Sequence, residues 1–128
     1  MNENDIAKEI VDAAYRIHST LGPGLLESVY QTVLLYEMSR RGLRAVSQLP
    51  IPIFYDGIKM DAGFRADLVV EDKVIVEIKS VELIAPVHKK QLQTYLRLTD
   101  KRLGFLINFN VALIKTGIIR VVNRLDEA

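Results

Sequence analysis

The sequence contains no cysteine, which excludes disulfides and any zinc site built on thiolates. It has no apolar run long enough to span a membrane. The opening Met1-Asn2-Glu3-Asn4-Asp5 is polar and acidic, and so reads against a signal peptide. There is no strong charge of either sign. The net charge of +1 gives no global basic field to attract nucleic acid, so any phosphate-binding surface must be local. Arg40, Arg41, Arg44, Lys89, Lys90, Lys101, Arg102, Arg120 and Arg124 are its candidates, against ordinary solubilising charge as the plain alternative. Internal repeats, linkers and low-complexity stretches are also missing. What remains is 128 residues, 49% of them apolar, enough for one domain with its own core over 1–128. A cytoplasmic protein fits this composition.

The stretch from Phe64 to Lys79 organises the rest. It reads as two apolar strands joined by a tight polar turn, with Asp67 in the first and Glu77 and Lys79 in the second. Alternate strand residues share a face, so Glu77 and Lys79 point the same way from a strand otherwise made of Val74, Ile75, Val76 and Ile78. Charge in such a place is costly unless it is paired or holds a metal. For Asp67 to meet Glu77 across the hairpin, Val70 must face Val74 and the loop must be Glu71-Asp72-Lys73, with Asp72 taking the left-handed position. In that register the two carboxylates can share a divalent cation, with Lys79 one pleat further along. The alternative is a surface hairpin whose acids and lysine form solvated ion pairs.

The other elements follow from periodicity. Ile6, Ile10, Ala13, Ala14 and Ile17 mark an amphipathic helix over 5–19, with Asn4 as its N-cap. Leu21-Gly22-Pro23-Gly24 breaks it. A second helix, about 26–40, carries Leu26, Val29, Tyr30, Val33, Leu34 and Met38 on its apolar stripe and ends at Gly42. Residues 44–55 read as extended. Pro50 and Pro52 put that strand at an edge or a bulge. Asp56-Gly57 is a hairpin turn, and Gly63 marks a bulge before the acids. Pro86 opens a third helix over 86–98 that buries Leu92, Leu96 and Val87, with His88, Gln91 and Tyr95 on another face. Residues 103–109 and 117–122 read as paired strands, and the chain frays from Leu125 on. The order, α-α-β-β-β-α-β-β, predicts an α/β fold with a central mixed sheet flanked by helices.

Asp67 followed ten residues later by Glu77-x-Lys79 resembles the PD-(D/E)xK nuclease superfamily. Gly24-Leu25-Leu26-Glu27-Ser28-Val29-Tyr30 resembles the motif that names its GxxExxY proteins. Gln91-Leu92-Gln93-Thr94-Tyr95 is similar to the Gln-xxx-Tyr helix of its RecB-like branch, and 104–109 to the late strand of GxxExxY proteins. The resemblance implies a restriction-endonuclease-like core and metal-dependent hydrolysis of phosphodiester bonds. Asp67, Glu77 and the Ile78 carbonyl would hold Mg²⁺ or Mn²⁺, and Lys79 would position water or stabilise charge. Glu27 would add a carboxylate to the metal site, where its bland role is to complement the helix dipole. Gln91 would bond a bound water or a phosphate, while Tyr30 and Tyr95 would support the site. Ala66 stands where the superfamily pattern has proline. The implied partner is DNA or RNA, with a homodimer or partner protein supplying the specificity that so small a domain lacks. Two rivals stand beside this: a non-catalytic module that binds nucleic acid or protein on the same fold, and an interaction protein with no nucleic-acid role.

Overall fold

The computed structural model describes residues 1–125, and of residues 61 and 62 the backbone alone. Two helices come first, α1 (Glu3–Leu21) and α2 (Glu27–Arg40). Strands β1 (Ala45–Tyr55), β2 (Ile58–Val70) and β3 (Val74–Lys79) follow, then α3 (Pro86–Thr99), β4 (Leu103–Asn108), a 3₁₀ turn (Ile114–Gly117) and β5 (Ile118–Val122). The five strands form one sheet in sequence order. It is mixed, because α3 carries the chain across to make β3 and β4 parallel while the other pairs are antiparallel. This is the expected order and architecture.

Both faces are covered. On one, α1 and α2 press Ile6, Ile10, Tyr30, Leu34 and Met38 onto Leu68, Val70, Val76, Phe105 and Ile107. On the other, α3 lays Leu92 and Leu96 against Val69, Ile75, Leu106 and Val121. The continuous apolar runs of β3 and β4 are what a strand buried on both sides requires.

Several details depart from the sequence reading. α1 is capped by Asn2, in a reciprocal box with Asp5, and not by Asn4. Asn4 accepts a hydrogen bond from Arg120 instead. On α2, Leu26 and Val29 are exposed. The buried side includes Glu37, which gathers Arg16, Arg40 and Arg41 while Arg41 reaches Glu9 and Asp12 on α1. The two helices are thus joined by an ion network that apolar periodicity does not reveal. Several of the cations proposed for phosphate are occupied here or elsewhere, Lys101 with Asp72 and Arg124 with Asp100. On α3, Val87 is exposed and only Leu92 and Leu96 are buried. Leu125 is half-buried against the helical core, and the rest of the expected frayed tail lies outside the described residues.

Tyr30 is fully buried, stacks on Phe109 at 4.4 Å, donates to the Gly22 carbonyl (2.6 Å) and accepts from the Leu25 N–H (3.2 Å). It therefore fixes the glycine-rich loop that delivers Glu27. Tyr30→Phe is expected to cost roughly 1–2 kcal/mol, because the partly buried Gly22 carbonyl loses its donor. Leu26→Ala, at an exposed position, should stay within about 0.5 kcal/mol of wild type. Urea denaturation midpoints of the two variants check both.

Candidate active site

The β2–β3 hairpin has the register the site requires, Val70 opposite Val74, then Val69 opposite Ile75 and Leu68 opposite Val76. Its turn holds two left-handed residues where one was expected, Glu71 (φ 53°) as well as Asp72 (φ 54°). Glu71 is held there by the residue before β1: its carboxylate accepts from the Arg44 N–H (2.7 Å) and its own N–H donates to the Arg44 carbonyl (2.8 Å).

After Leu68 and Val76 the backbone ladder stops, and the acids take its place. The Asp67 N–H donates to Glu77 Oε2 at 2.9 Å, and the Ile78 N–H donates to Asp67 Oδ2 at 2.8 Å. Each carboxylate thus receives an amide from the opposite strand, and the two side chains wedge the strands apart. The N–H and C=O of one strand residue point to the same neighbour. The Ile78 carbonyl therefore faces this opening, beside the Asp67 carboxylate that its N–H meets.

Backbone geometry explains how Asp67 reaches the opening. Leu68 and Val70 pack under α1 and α2, whereas Ala66 and Phe64 pack on the α3 side. Side-chain alternation reverses at Asp67, opposite Gln48, whose φ is 52°. Gln48 Nε2 donates to Gln31 Oε1 of α2 (2.8 Å) and lies 3.4 Å from Asp67 Oδ1. A glutamine in the left-handed region leaves no mark in the sequence, and Gln48 was not among the expected residues.

The electrostatics are those of two crowded acids. Burial foremost, and then the adjacent Asp67 carboxylate, push the Glu77 carboxyl up to about 8. The Asp67 N–H and the Lys79 ammonium pull the other way without prevailing. Lys79 is half-buried and forms no ion pair among the described residues. Tyr95 stacks on Phe64 at 3.5 Å, and burial together with the charge of Glu77 raises its phenol above the ordinary value. Gln91 is one turn nearer the start of α3, exposed, and makes no hydrogen bond to either acid among the described residues. His88 caps its own helix, its Nδ1 accepting from the Ala85 N–H.

Glu27 stands apart from the pair. It accepts from the Ser80 N–H at 3.2 Å, while Ser80 Oγ donates to the Leu25 carbonyl at 2.6 Å. Among the described residues no three acidic or imidazole groups gather closely enough to hold an ion. The expectation that Glu27 joins Asp67 and Glu77 in one cluster is therefore not met. Glu27 is placed beside the residue that follows Lys79. The Ser80–Val81 loop is in turn fixed by buried Asn108, which accepts from the Val81 N–H (3.1 Å) and donates to the Val81 carbonyl (2.8 Å). Asn108 is a positioning residue the sequence reading did not single out, although a lone polar residue closing the apolar run Leu103–Ile107 is a visible signal.

The donor set fits a hard divalent cation. Mg²⁺ is commonly held by one or two carboxylates, with waters completing its shell. Two carboxylates and a carbonyl converging where negative charge is undercompensated supply that chemistry without a third acid.

No helix among the described residues is long and apolar enough to cross a membrane. No curated protein matches the chain. Among solved structures, the crystal structure of SSO0001 is similar, with a TM-score of 0.57 and 24% identity, which speaks to the fold alone. The match covers 96% of this chain and 61% of that one, so this chain spans less than two thirds of its length. The profile of the PD-(D/E)XK nuclease superfamily matches residues 4–121, nearly the whole α/β domain including the splayed acidic hairpin. The chain belongs to the PD-(D/E)XK nuclease superfamily and has the restriction-endonuclease-like fold.

Proposed function

We propose that this protein is a metal-dependent nuclease of the GxxExxY group that hydrolyses phosphodiester bonds in DNA or RNA. The observation that carries the reading is the pair of crossed hydrogen bonds by which Asp67 and Glu77 hold each other at the mouth of an interrupted ladder. Asp67, Glu77 and the Ile78 carbonyl are the groups that would hold Mg²⁺ or Mn²⁺. A bound ion of this kind lowers the pKa of water and offsets charge developing on a phosphate.

The remaining work falls to side chains of this chain. Lys79, beside Glu77 and without an ion pair among the described residues, donates to a phosphate oxygen or orients the attacking water. Water adds to phosphorus, and the departing ester oxygen leaves with the bonding pair and takes up a proton. Gln91, exposed above the strand, hydrogen-bonds water or phosphate. Tyr95, anchored by its stack on Phe64, shields the flank of Glu77. Glu27 acts through Ser80, setting the backbone that carries Lys79. Tyr30 supports it by fixing the loop before α2. The reading places the protein in the cytoplasm.

One observation favours a second reading, a non-catalytic nucleic-acid-binding module: Glu27 is engaged with Ser80 and not with the acid pair. Incubation of labelled DNA and RNA with Mg²⁺ or Mn²⁺ decides between them. Wild type should cleave. Asp67→Ala and Lys79→Ala should each reduce the rate by at least about a hundredfold, as for loss of a preorganised charge-stabilising group. Intact substrates with both ions, in protein that still binds them, would favour the module.

The crowding of the acids gives a further test in the absence of divalent ions. The Glu77 carboxyl moves from an ordinary 4.5 to about 8 on folding. Between those values the folded chain holds a proton that the unfolded chain has lost. Stability should therefore fall as pH rises from 4.5 through 8. Melting curves in EDTA should show this slope in wild type, and Glu77→Gln should flatten it. At the alkaline end, added Mg²⁺ should raise the midpoint of wild type and leave that of Asp67→Ala unchanged, since only a ligand that binds the folded state stabilises it.

A further inference from the structure

Past the last rung shared with β3, strands β1 and β2 continue as a two-stranded arm, from Leu49 opposite Ala66 to Tyr55 opposite Ile58. Asp56 (φ 54°) and Gly57 (φ 72°) make its turn. At the base the arm is anchored by the stack of Phe64 on Tyr95. Outward from there, one face carries Ala66, Met60, Ile58 and Tyr55, and their exposure climbs through 0%, 36%, 60% and 69%. The opposite face carries Phe54, 62% exposed and directly across from Lys59. A cavity of about 290 Å³ along the arm is lined by Pro50, Pro52, Lys59, Met60, Phe64 and Arg65.

A two-stranded ribbon is marginal in water, and large exposed apolar side chains at its tip mark a binding surface. Its occupant is narrowed by three features. The free edge of β1 has prolines at positions 50 and 52, which lack the N–H that strand addition needs, so recognition is by the faces. Aromatic rings stand at the tip on both faces, Phe54 on one and Tyr55 on the other. A flat protein partner, including a second copy, covers one and leaves the other in water. Finally, the arm springs from Asp67 itself, so a strand lying along it leads into the acids, roughly 25 Å from the tip at about 3.3 Å per residue. Bases fit both aromatic faces, because every base presents a π-surface. Lys59 is placed for a backbone phosphate, and Arg65, whose Nη1 donates to the Gln48 carbonyl at 3.5 Å, keeps its other donors for a second. Asp56 at the turn offsets part of that positive charge, so stacking rather than net charge supplies the grip.

We propose that the arm binds unpaired nucleotides next to the bond to be cut, with bases stacked on Phe54 and Tyr55, so that the enzyme selects single-stranded tails at a duplex end or branch. This rests on the nuclease reading and adds the strand it prefers. The test is fluorescence anisotropy in EDTA with labelled blunt duplexes and the same duplexes bearing a single-stranded tail, as DNA and as RNA. Wild type should bind the tailed probes more tightly. Phe54→Ala/Tyr55→Ala should weaken tailed binding by about tenfold or more, a modest return for two lost stacks. Blunt-duplex affinity should be unchanged. If that variant does not fold, Phe54→Leu/Tyr55→Leu keeps the apolar bulk, removes the rings and should show the same loss. Equal binding of tailed and blunt probes by wild type would overturn the arm's role and leave the nuclease reading intact. So would tailed binding unchanged in a folded variant. A wild-type dimer that the variant breaks, by size-exclusion chromatography with light scattering, would assign the tip to a second copy instead. Wild type that binds no nucleic acid at low salt would remove both readings together.

Discussion

Two carboxylates facing each other across a hairpin repel, and in this protein the backbone is arranged to tolerate that repulsion. Asp67 and Glu77 each take an amide N–H that the ladder would otherwise use on a carbonyl. The exchange supplies donors to both acids, frees the Ile78 carbonyl and holds the strands apart at one point. It does not neutralise the charge. Glu77 still has its carboxyl raised to about 8 by burial and by its neighbour. The acids are thus satisfied in hydrogen bonding and left crowded in charge, which is the condition under which a cation would relieve them. The left-handed Gln48, the reversal of alternation at Asp67 and the double left-handed turn at Glu71-Asp72 are the backbone conditions of that arrangement.

The rest of the fold holds this interruption in place. β3 and β4, buried on both faces, are rigid because packing on both sides leaves their side chains no alternative. Asn108 closes β4 and clamps the loop after Lys79, and Ser80 connects that loop to Glu27 and Leu25 on the helical side. Residues from α2, β2, β3, β4 and α3 therefore meet at the end of the sheet where β3 stops. That is where a splayed hairpin opens to solvent without costing buried ladder bonds.

How much of this is legible in the sequence differs by kind of signal. The register of the hairpin is readable, because a period of two leaves one loop length that lets Asp67 meet Glu77, and that loop is found. The element order is readable from periodicity, and the edge position of β1 from Pro50 and Pro52. The failures share one cause. Leu26, Val29 and Val87 are exposed although they are apolar, and Glu37 is buried although it is charged, because tertiary partners and not local pattern decide burial there. The contact of Glu27 is unreadable for the same reason: a motif gives its spacing, but only the fold brings Ser80 to it. Gln48 escapes because nothing in a glutamine announces a positive φ.

The same reversal at Gln48 and Asp67 also accounts for the arm. Where alternation is unbroken, both faces of a sheet this small would be covered by α1, α2 and α3, and an exposed apolar ladder would have no origin. With the reversal, the face that begins under α3 at Ala66 and Phe64 is carried outward beyond the end of the helix layer. It emerges unpartnered at Tyr55 and Ile58. One local backbone feature thus sets both the meeting of the acids and the direction of the ribbon that leaves them. Twisting one pair of strands thus aligns the exposed ribbon with the acids at its base.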